Sequence, residues 1–239
     1  MPNFVKIMLL FYQPELTNGV KYLDTDESRH AVKVLRLKEG SHIHVTDGHG
    51  NLYEARITDE NHRKCGFELL QNHPEQAFRT YRHLVIAPTK NMDRMEWLVE
   101  KATEIGVDRI SLIKCSNSER TVVKTDRLIK KAVSAMKQSL KATLPQIDEI
   151  VSFKAYLQNE TARQKFIAYV DFENPVELQT VVHPGEENIV LIGPEGDFSP
   201  EELQMALDSG FRKVSLGTSR LRTETAGLAA VHLLNLFGK

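Results

Sequence analysis

Residues Leu191–Glu202 read "LIGPEGDFSPEE", an apolar run that breaks into glycine, proline and carboxylates and then opens a helix. Ser199-Pro200-Glu201-Glu202 predicts a capping box, with serine at the N-cap, proline at the first helical position and glutamate at the third. That helix start leaves Gly193-Pro194-Glu195-Gly196 as a tight turn directly off a strand end. Ligands of open α/β sheets sit at the carboxyl ends of strands, and glycine there lets a ligand approach the backbone closely. A second stretch, "LGTSRLRTETAGLAAV" (Leu216–Val231), repeats the strand–loop–helix order. We read the two loops as holding one small ligand together.

The same loops narrow the ligand. No GxGxxG follows a strand and there is no GxxxxGK[ST], so neither a dinucleotide fold nor a phosphate-cradling loop is indicated. Glu195 and Asp197 disfavour a phosphate and tolerate a cationic or neutral group. No GxSxG and no Cys–His spacing supports a nucleophilic hydrolase. His42 and His44 share a strand face without a third ligand nearby, so they read as surface residues and no metal site is expected. Cys65 and Cys115 lie far apart outside any CxxC pattern, which suits a reducing, cytoplasmic location. The N-terminal "FVKIMLLFY" is short, runs into Gln-Pro-Glu and lacks a small-residue cleavage site, so it reads as a strand. No segment is apolar for long enough to span a bilayer.

Residues 1–75 look β-rich. "KIMLLFY" and "CGFELLQN" read as strands, and "SHIHVTDGHGNLYEARIT" alternates on both sides of "DGHG", a hairpin signal. "DESRHAVKVLRLKEG" predicts a short helix followed by a strand closed at Gly40, completing a small barrel-like unit. "NHPEQAF" (Asn72–Phe78) is the expected linker. Beyond it, strands are expected at His83–Ala87, Arg109–Lys114, Phe166–Val170, Asn188–Ile192 and Lys213–Leu216. Helices are expected at Met92–Ile105, Asp126–Leu140, Pro200–Asp208 and Thr225–Phe237. Such alternation argues an α/β domain with a parallel sheet covered on both faces.

Net charge is −1, so only the distribution of charge can speak of a polyanion. Ile167–Phe211 holds ten acidic residues and no Lys or Arg, whereas Glu119–Lys141 holds seven basic residues against two acidic. In the helix from Asp126, Arg127, Lys130, Ser134, Lys137 and Lys141 form one polar stripe, opposite Leu128, Ile129, Ala132, Met136 and Leu140. The uninterrupted stripe favours RNA contact. The last helix, "AGLAAVHLLNLF", is apolar nearly all round and calls for cover on more than one side.

The two loops resemble the paired cofactor loops of the SPOUT methyltransferases, and more narrowly those of the ribosomal RNA small subunit methyltransferase E family. That family acts on N3 of a uridine in 16S ribosomal RNA. "LFYQP", "RHAVKVLRLKEG", "EKATEIGVDRI", "ERTVVK" and "KQSLKATLPQI" follow in the family's order, so the resemblance runs through nearly the whole chain. It implies an RNA-binding PUA-like β-barrel over residues 1–75 and, over 76–239, a SPOUT α/β domain whose parallel sheet carries a deep trefoil knot. Strand–helix alternation could never reveal a knot. It also implies S-adenosylmethionine as cofactor, and a homodimer with active sites at the interface, which would cover the last helix. The family's cofactor loops fall on Pro88-Thr89-Lys90, Leu191–Gly196 and Leu216–Ala226. Pro88, Thr89, Leu191, Ile192, Gly193, Gly196, Leu216, Gly217, Ser219, Leu221 and Ala226 are therefore the expected cofactor contacts. Asp197 stands where the family has a second glycine, and aspartate tolerates left-handed backbone better than most residues. Ser219-Arg220 replaces the family's Arg-Ile, which leaves open whether Arg220 or Arg222 meets the uracil. Lys137 replaces a family glutamate. Met8 sits where many members begin, so Met1–Ile7 reads as an extension.

The expected reaction is methyl transfer to N3 of a uridine in 16S ribosomal RNA of the small subunit. Uracil N3–H is a weakly acidic imide, and the anion left by its proton spreads onto O2 and O4. An arginine aimed at those oxygens stabilises the anion as fixed donors do elsewhere. Arg222 is the candidate, with Glu224 orienting it or capping the final helix. No histidine is placed as general base. N3 lies on the Watson–Crick edge, so the uridine must be unpaired or extruded. Arg29, Lys33 and Arg36, with Arg120, Lys124 and Arg127, are the expected phosphate contacts. The alternatives are a related ribose 2′-O-methyltransferase and a non-catalytic RNA-binding assembly factor.

Overall fold

Apolar alternation on both sides of Asp47–Gly50 builds the N-terminal sheet of a computed structural model that describes residues 8–74, 80–158, 160, 162–170 and 176–238. The chain divides into two compact units, Met1–Ala77 with Val133–Leu144, and Phe78–Ala132 with Pro145–Lys239. In the first, β1 (Leu10–Tyr12), α1 (Thr25–Arg29), β2 (His42–Thr46), β3 (Asn51–Asp59) and β4 (Gly66–Pro74) follow in order. The strands form one four-stranded sheet ordered β1-β2-β3-β4, with β1 parallel to β2 and the other pairs antiparallel. Gly48 and Gly50 take φ of 81° and 93°, which lets the expected hairpin reverse. Ile43, Val45, Ala55, Ile57 and Phe67 turn to one core with Phe11, Leu23 and Ala31. His42 is exposed and His44 half-buried.

The strand expected before Gly40 does not form. A π turn at His30–Val34 follows α1 instead, and Arg36 adopts φ 55°. That left-handed residue lets both Leu35 and Leu37 pack on the core without a ladder partner, so period-two apolarity arises here without a strand. Of the expected linker, Asn72–Pro74 belong to β4, and residues 75–79 lie outside the described residues.

The second unit runs β5 (Arg82–Ile86), α2 (Met92–Ile105), β6 (Arg109–Lys114), α3 (Asp126–Gln138), β7 (Gln146–Ile147), β8 (Val151–Ser152), α4 (Phe153–Gln158), β9 (Gln164–Ala168), β10 (Asn188–Ile192), α5 (Pro200–Asp208), β11 (Arg212–Val214) and α6 (Thr223–Phe237). The main sheet is ordered β11-β9-β10-β5-β6-β7, and its strands run parallel. Every residue of β5 and β10 is buried, as a parallel sheet covered on both faces requires. Val85, Ile113, Ile167, Ile189 and Leu191 face Phe153 of α4 and Phe198 and Ala206 beside and within α5. On the other face α6 approaches so closely that a Cβ on Gly227 would lie 3.0 Å from Ile86 Cδ1 and 3.2 Å from Leu98 Cδ2. None of these helices is long and apolar enough to cross a membrane.

The helix expected to run to Leu140 stops at Gln138, because Leu140 turns left-handed at φ 56°. Its expected apolar face is also narrower: Leu128, Ala132 and Met136 are buried, but Ile129 and Leu140 are exposed. Val133–Leu144 counts with the first unit, where Thr46 Oγ1 donates to Ala142 O at 2.9 Å and Lys137 pairs with Glu27. The polar stripe is thus partly spent inside the fold. α6 begins at Thr223, two residues before the expected start, and α4, β7 and β8 carry no sequence signal long enough to have been expected.

Buried His83 and Ser111 lie in line with half-buried Asp148, with His83 Nε2 2.7 Å from Ser111 Oγ. The serine hydroxyl donates to Asp148, and the Tyr156 ring packs edge-on against His83. This is a packed structural group, open to solvent only at its Asp148 end, where Arg109 pairs with the carboxylate. Burial, reinforced by the Arg109 charge, pushes His83 down from 6.5 to about 4. A lowered folded-state pKa means the unfolded chain takes up the proton first. Stability from neutral His83 is full above about pH 6.5 and is lost progressively as pH falls through 4, to about 3 kcal/mol in all. Urea melts of the native chain are expected to show that loss between pH 7 and pH 4, and His83→Gln to flatten it.

Candidate active site

Three parallel neighbours, β11, β9 and β10, end on the same side of the sheet, and the loops that leave them enclose a cavity of about 650 Å³. Tyr169 and Val170 follow β9, Gly193–Asp197 follow β10, and Ser215–Arg222 follow β11. This is the carboxyl edge where α/β sheets place ligands. The volume lies within the range of small-molecule sites.

The turn after β10 is over-determined. Ser199 Oγ accepts from Glu202 N at 3.2 Å while Glu202 Oε2 accepts from Ser199 N at 2.9 Å, completing the capping box. Buried Glu202 also accepts from Ser116 N at 2.7 Å, tying α5 to the loop after β6. Within that loop, Asn117 Nδ2 donates to the carbonyls of Gly196 (3.2 Å) and Asp197 (3.0 Å). Arg120 donates to the carbonyls of Thr89 (3.2 Å) and Lys90 (2.5 Å), and Lys90 N donates to Glu195 Oε1 at 3.0 Å. One loop therefore braces two others from behind.

Asp197 takes the left-handed conformation, φ 62°. Burial raises its carboxyl pKa, opposed by hydrogen bonds from the Phe198 and Val170 amides. Phe198 N donates to Oδ1 at 2.8 Å. Asp197→Ala loses those bonds and keeps the φ penalty, whereas Asp197→Gly loses the bonds alone. Thermal melts are expected to rank the native chain above Asp197→Gly, and Gly above Ala by about 1 kcal/mol.

The loop after β11 is shaped by Ser215, whose Oγ accepts from Gly217 N at 3.2 Å. Gly217 has φ 118°, a conformation that side chains rarely adopt. Ser215 also accepts from Leu178 N at 3.0 Å and bridges to Glu177, which brings Glu177 into the wall. Arg222 is the N-cap of α6 without a side-chain cap bond. Arg222 and Arg220 are exposed at the cavity, and neither has an ion-pair partner within 4 Å among the described residues.

Of the expected contacts, Ile192, Gly193, Gly196, Leu216, Gly217, Ser219, Leu221 and Ala226 line the cavity, as does Arg222. Pro88, Thr89 and Leu191 do not. Leu191 is fully buried in the core, and Thr89 bonds Asn91 O at 2.8 Å and braces the loop. Glu224 is buried beneath the wall and faces Arg94, its Oε1 3.7 Å from Arg94 Nε; it is not placed against Arg222. Arg29, Lys33, Arg36 and Lys124 are exposed, Arg120 is spent on the loop carbonyls, and Arg127 pairs with Glu96 at 2.6 Å. Sequence reasoning missed Arg94, Tyr169, Val170 and Glu177 as lining residues. Tyr169 and Val170 fall at the end of an expected strand, but only the sheet order places that strand beside β10. Glu177 depends on a bridge across a long loop and left no signal.

An open parallel sheet with a braced, glycine-bearing cleft at its carboxyl edge defines an α/β protein with a small-ligand site at its strand ends. Residues 78–235 match the RNA methyltransferase domain family and residues 23–70 the RNA methyltransferase PUA domain; the chain belongs to the RNA methyltransferase family. It is 26% identical over 219 residues to the Ribosomal RNA small subunit methyltransferase E of Rickettsia conorii, covering 90% of this chain and 89% of that one. Among solved structures, a "probable rRNA-methyltransferase" from Porphyromonas gingivalis is 40% identical with a TM-score of 0.91, over 96% of this chain and 98% of that one. The Ribosomal RNA small subunit methyltransferase E of Neisseria gonorrhoeae, bound to S-adenosyl methionine, is 29% identical with a TM-score of 0.84, over 97% and 98%.

Proposed function

We propose that this protein methylates N3 of a uridine in 16S ribosomal RNA, within the small subunit, as a cytoplasmic homodimer that uses S-adenosylmethionine. The carrying observation is the cavity at the ends of β9, β10 and β11, whose wall joins apolar side chains, exposed main chain and both signs of charge. Ile192, Val214, Leu216, Leu221 and Ala226 suit an adenine, and the Gly193–Gly196 and Leu216–Ser219 main chain offers polar partners to a nucleoside. Glu177, Glu195 and Asp197 suit a cationic group, and Arg94 and Arg220 suit a carboxylate. A zwitterionic sulfonium nucleoside fits that donor set. S-adenosylmethionine supplies, when bound, a methyl group carried on sulfur.

The chain's own residues do the rest. The braced loops fix the ligand by main chain, so little reorganisation accompanies reaction. Arg222 donates to the uracil oxygens that gain charge when N3 loses its proton. Exposed Arg29, Lys33, Arg36 and Lys124 hold phosphates. A homodimer covers Leu236 and Phe237, 51% and 46% exposed on α6. The deep trefoil knot belongs to this reading. Its support is the family resemblance and a strand order in which β10 lies between β9 and β5.

Nucleoside mapping of 16S RNA by mass spectrometry, with and without the gene, tests the reading. N3-methyluridine that disappears on deletion and returns with the gene is expected. A lost 2′-O-methyl would move the assignment to ribose. No change in RNA, together with no calorimetric uptake of S-adenosylmethionine, would leave a non-catalytic RNA-binding factor.

A further inference from the structure

Arg94 occupies the third position of α2, in the helix's first turn, where the helix dipole disfavours a cation. Local propensity does not account for it. Its side chain is 39% exposed at the cavity wall, and its Nε lies 3.7 Å from Oε1 of Glu224, in the first turn of α6. Glu224 is 7% exposed, and its second oxygen, Oε2, has no hydrogen-bond partner among the described residues. A buried carboxylate left half-satisfied is costly unless a cation stands beside it, and Arg94 is the cation within ion-pair reach among the described residues. Two helix N-termini thus bring one arginine and one buried carboxylate together at the cavity.

We infer that Arg94 is an anion-holding residue of the cleft, engaging a negatively charged ligand oxygen, and that Glu224 is its positioning residue. The inference rests on the cofactor reading above. The anionic oxygen has two sources in that reaction, the carboxylate of the cofactor's amino-acid part and the uracil oxygens after N3 loses its proton. A guanidinium held along its Nε edge leaves its terminal nitrogens to donate, and it does so as a fork that lysine cannot copy.

The test uses the full chain and calorimetry with S-adenosylmethionine and with 5′-methylthioadenosine, which lacks the amino-acid part. If the source is the carboxylate, Arg94→Ala weakens S-adenosylmethionine binding by about 10- to 100-fold and leaves 5′-methylthioadenosine binding unchanged. If the source is the uracil, neither Kd moves and kcat falls by a comparable factor. Glu224→Gln moves the same quantity as Arg94→Ala, and adds nothing further once Arg94 is alanine. The Arg94→Ala/Glu224→Gln double variant also leaves no buried unpaired charge, so it keeps the test open should the single variant unfold. Arg94→Lys recovers only part of the loss. Unchanged Kd and unchanged kcat in a folded Arg94→Ala protein overturn the inference. So would Glu224→Gln effects on melting temperature alone. A native chain that binds no S-adenosylmethionine overturns the cofactor reading instead.

Discussion

Arg222→Ala is expected to lower kcat by about two to three orders of magnitude while leaving S-adenosylmethionine affinity nearly unchanged. In the proposed mechanism the charge that Arg222 meets exists only after the uracil N3 proton has left, so its contribution belongs to the transition state and not to ground-state binding. The structure makes the substitution a clean probe. Arg222 is exposed, stands at the N-cap of α6 without a side-chain cap bond, and has no ion-pair partner within 4 Å among the described residues. Truncation removes no internal support, and melting temperature should hold. Arg222→Lys is expected to recover part of the rate, since charge is kept and the two-pronged donor is lost. Arg220→Ala is the companion measurement, because Arg220 also lines the cavity. A rate loss confined to Arg220→Ala would transfer the uracil contact to Arg220. Single-turnover methyl incorporation into RNA, with calorimetric Kd for the cofactor, separates the outcomes.

Phe198→Ala is expected to destabilise the second unit by about 3–5 kcal/mol, the largest stability effect proposed for this chain. Phe198 is 3% exposed, its ring centroid lies 5.4 Å from that of Phe153, and it belongs to the core that also holds Leu191 and Ala206. It also forms the floor of the turn after β10. A Cβ added to Gly193 would lie 3.1 Å from Phe198 Cδ2, so the glycine and the ring fit one another. Removing the ring creates a cavity under Gly193-Pro194-Glu195-Gly196, and the turn loses the surface that fixes it. Cofactor affinity should therefore fall along with the unfolding midpoint, unlike in Arg222→Ala. Phe198→Leu refills most of the volume and should recover most of both. Denaturant melts alongside calorimetry check the pairing. A stability loss without any change in cofactor binding would uncouple the turn from its floor.

Much of this architecture was legible in the chain because local rules carry it. α2 and α5, and strands β6 and β10, have the bounds that periodicity, caps and glycine predict. The Ser199–Glu202 capping box formed as read, and Asp197 adopted the left-handed turn that its short polar side chain tolerates. Local rules failed where period-two apolarity at Leu35 and Leu37 met no strand to pair with, and where Leu140 turned left-handed beyond its helix. They also could not say which charges remain available. Arg120, Arg127 and Lys137 look alike in a basic stretch of sequence, yet each is committed to a carbonyl or a carboxylate far away in sequence.

The sequence by itself determined the strand–turn–helix units, the glycine positions and hence the backbone-lined character of the cleft, because caps and φ preferences act over a few residues. Tertiary structure alone decided that β11, β9 and β10 would lie side by side, and so that Tyr169, Val170 and Glu177 join the wall. It alone placed Arg94 from α2 beside Glu224 from α6, 130 positions apart in the chain. Strand pairing and helix packing are set by burial summed over the whole sheet, and no short window of sequence contains that sum.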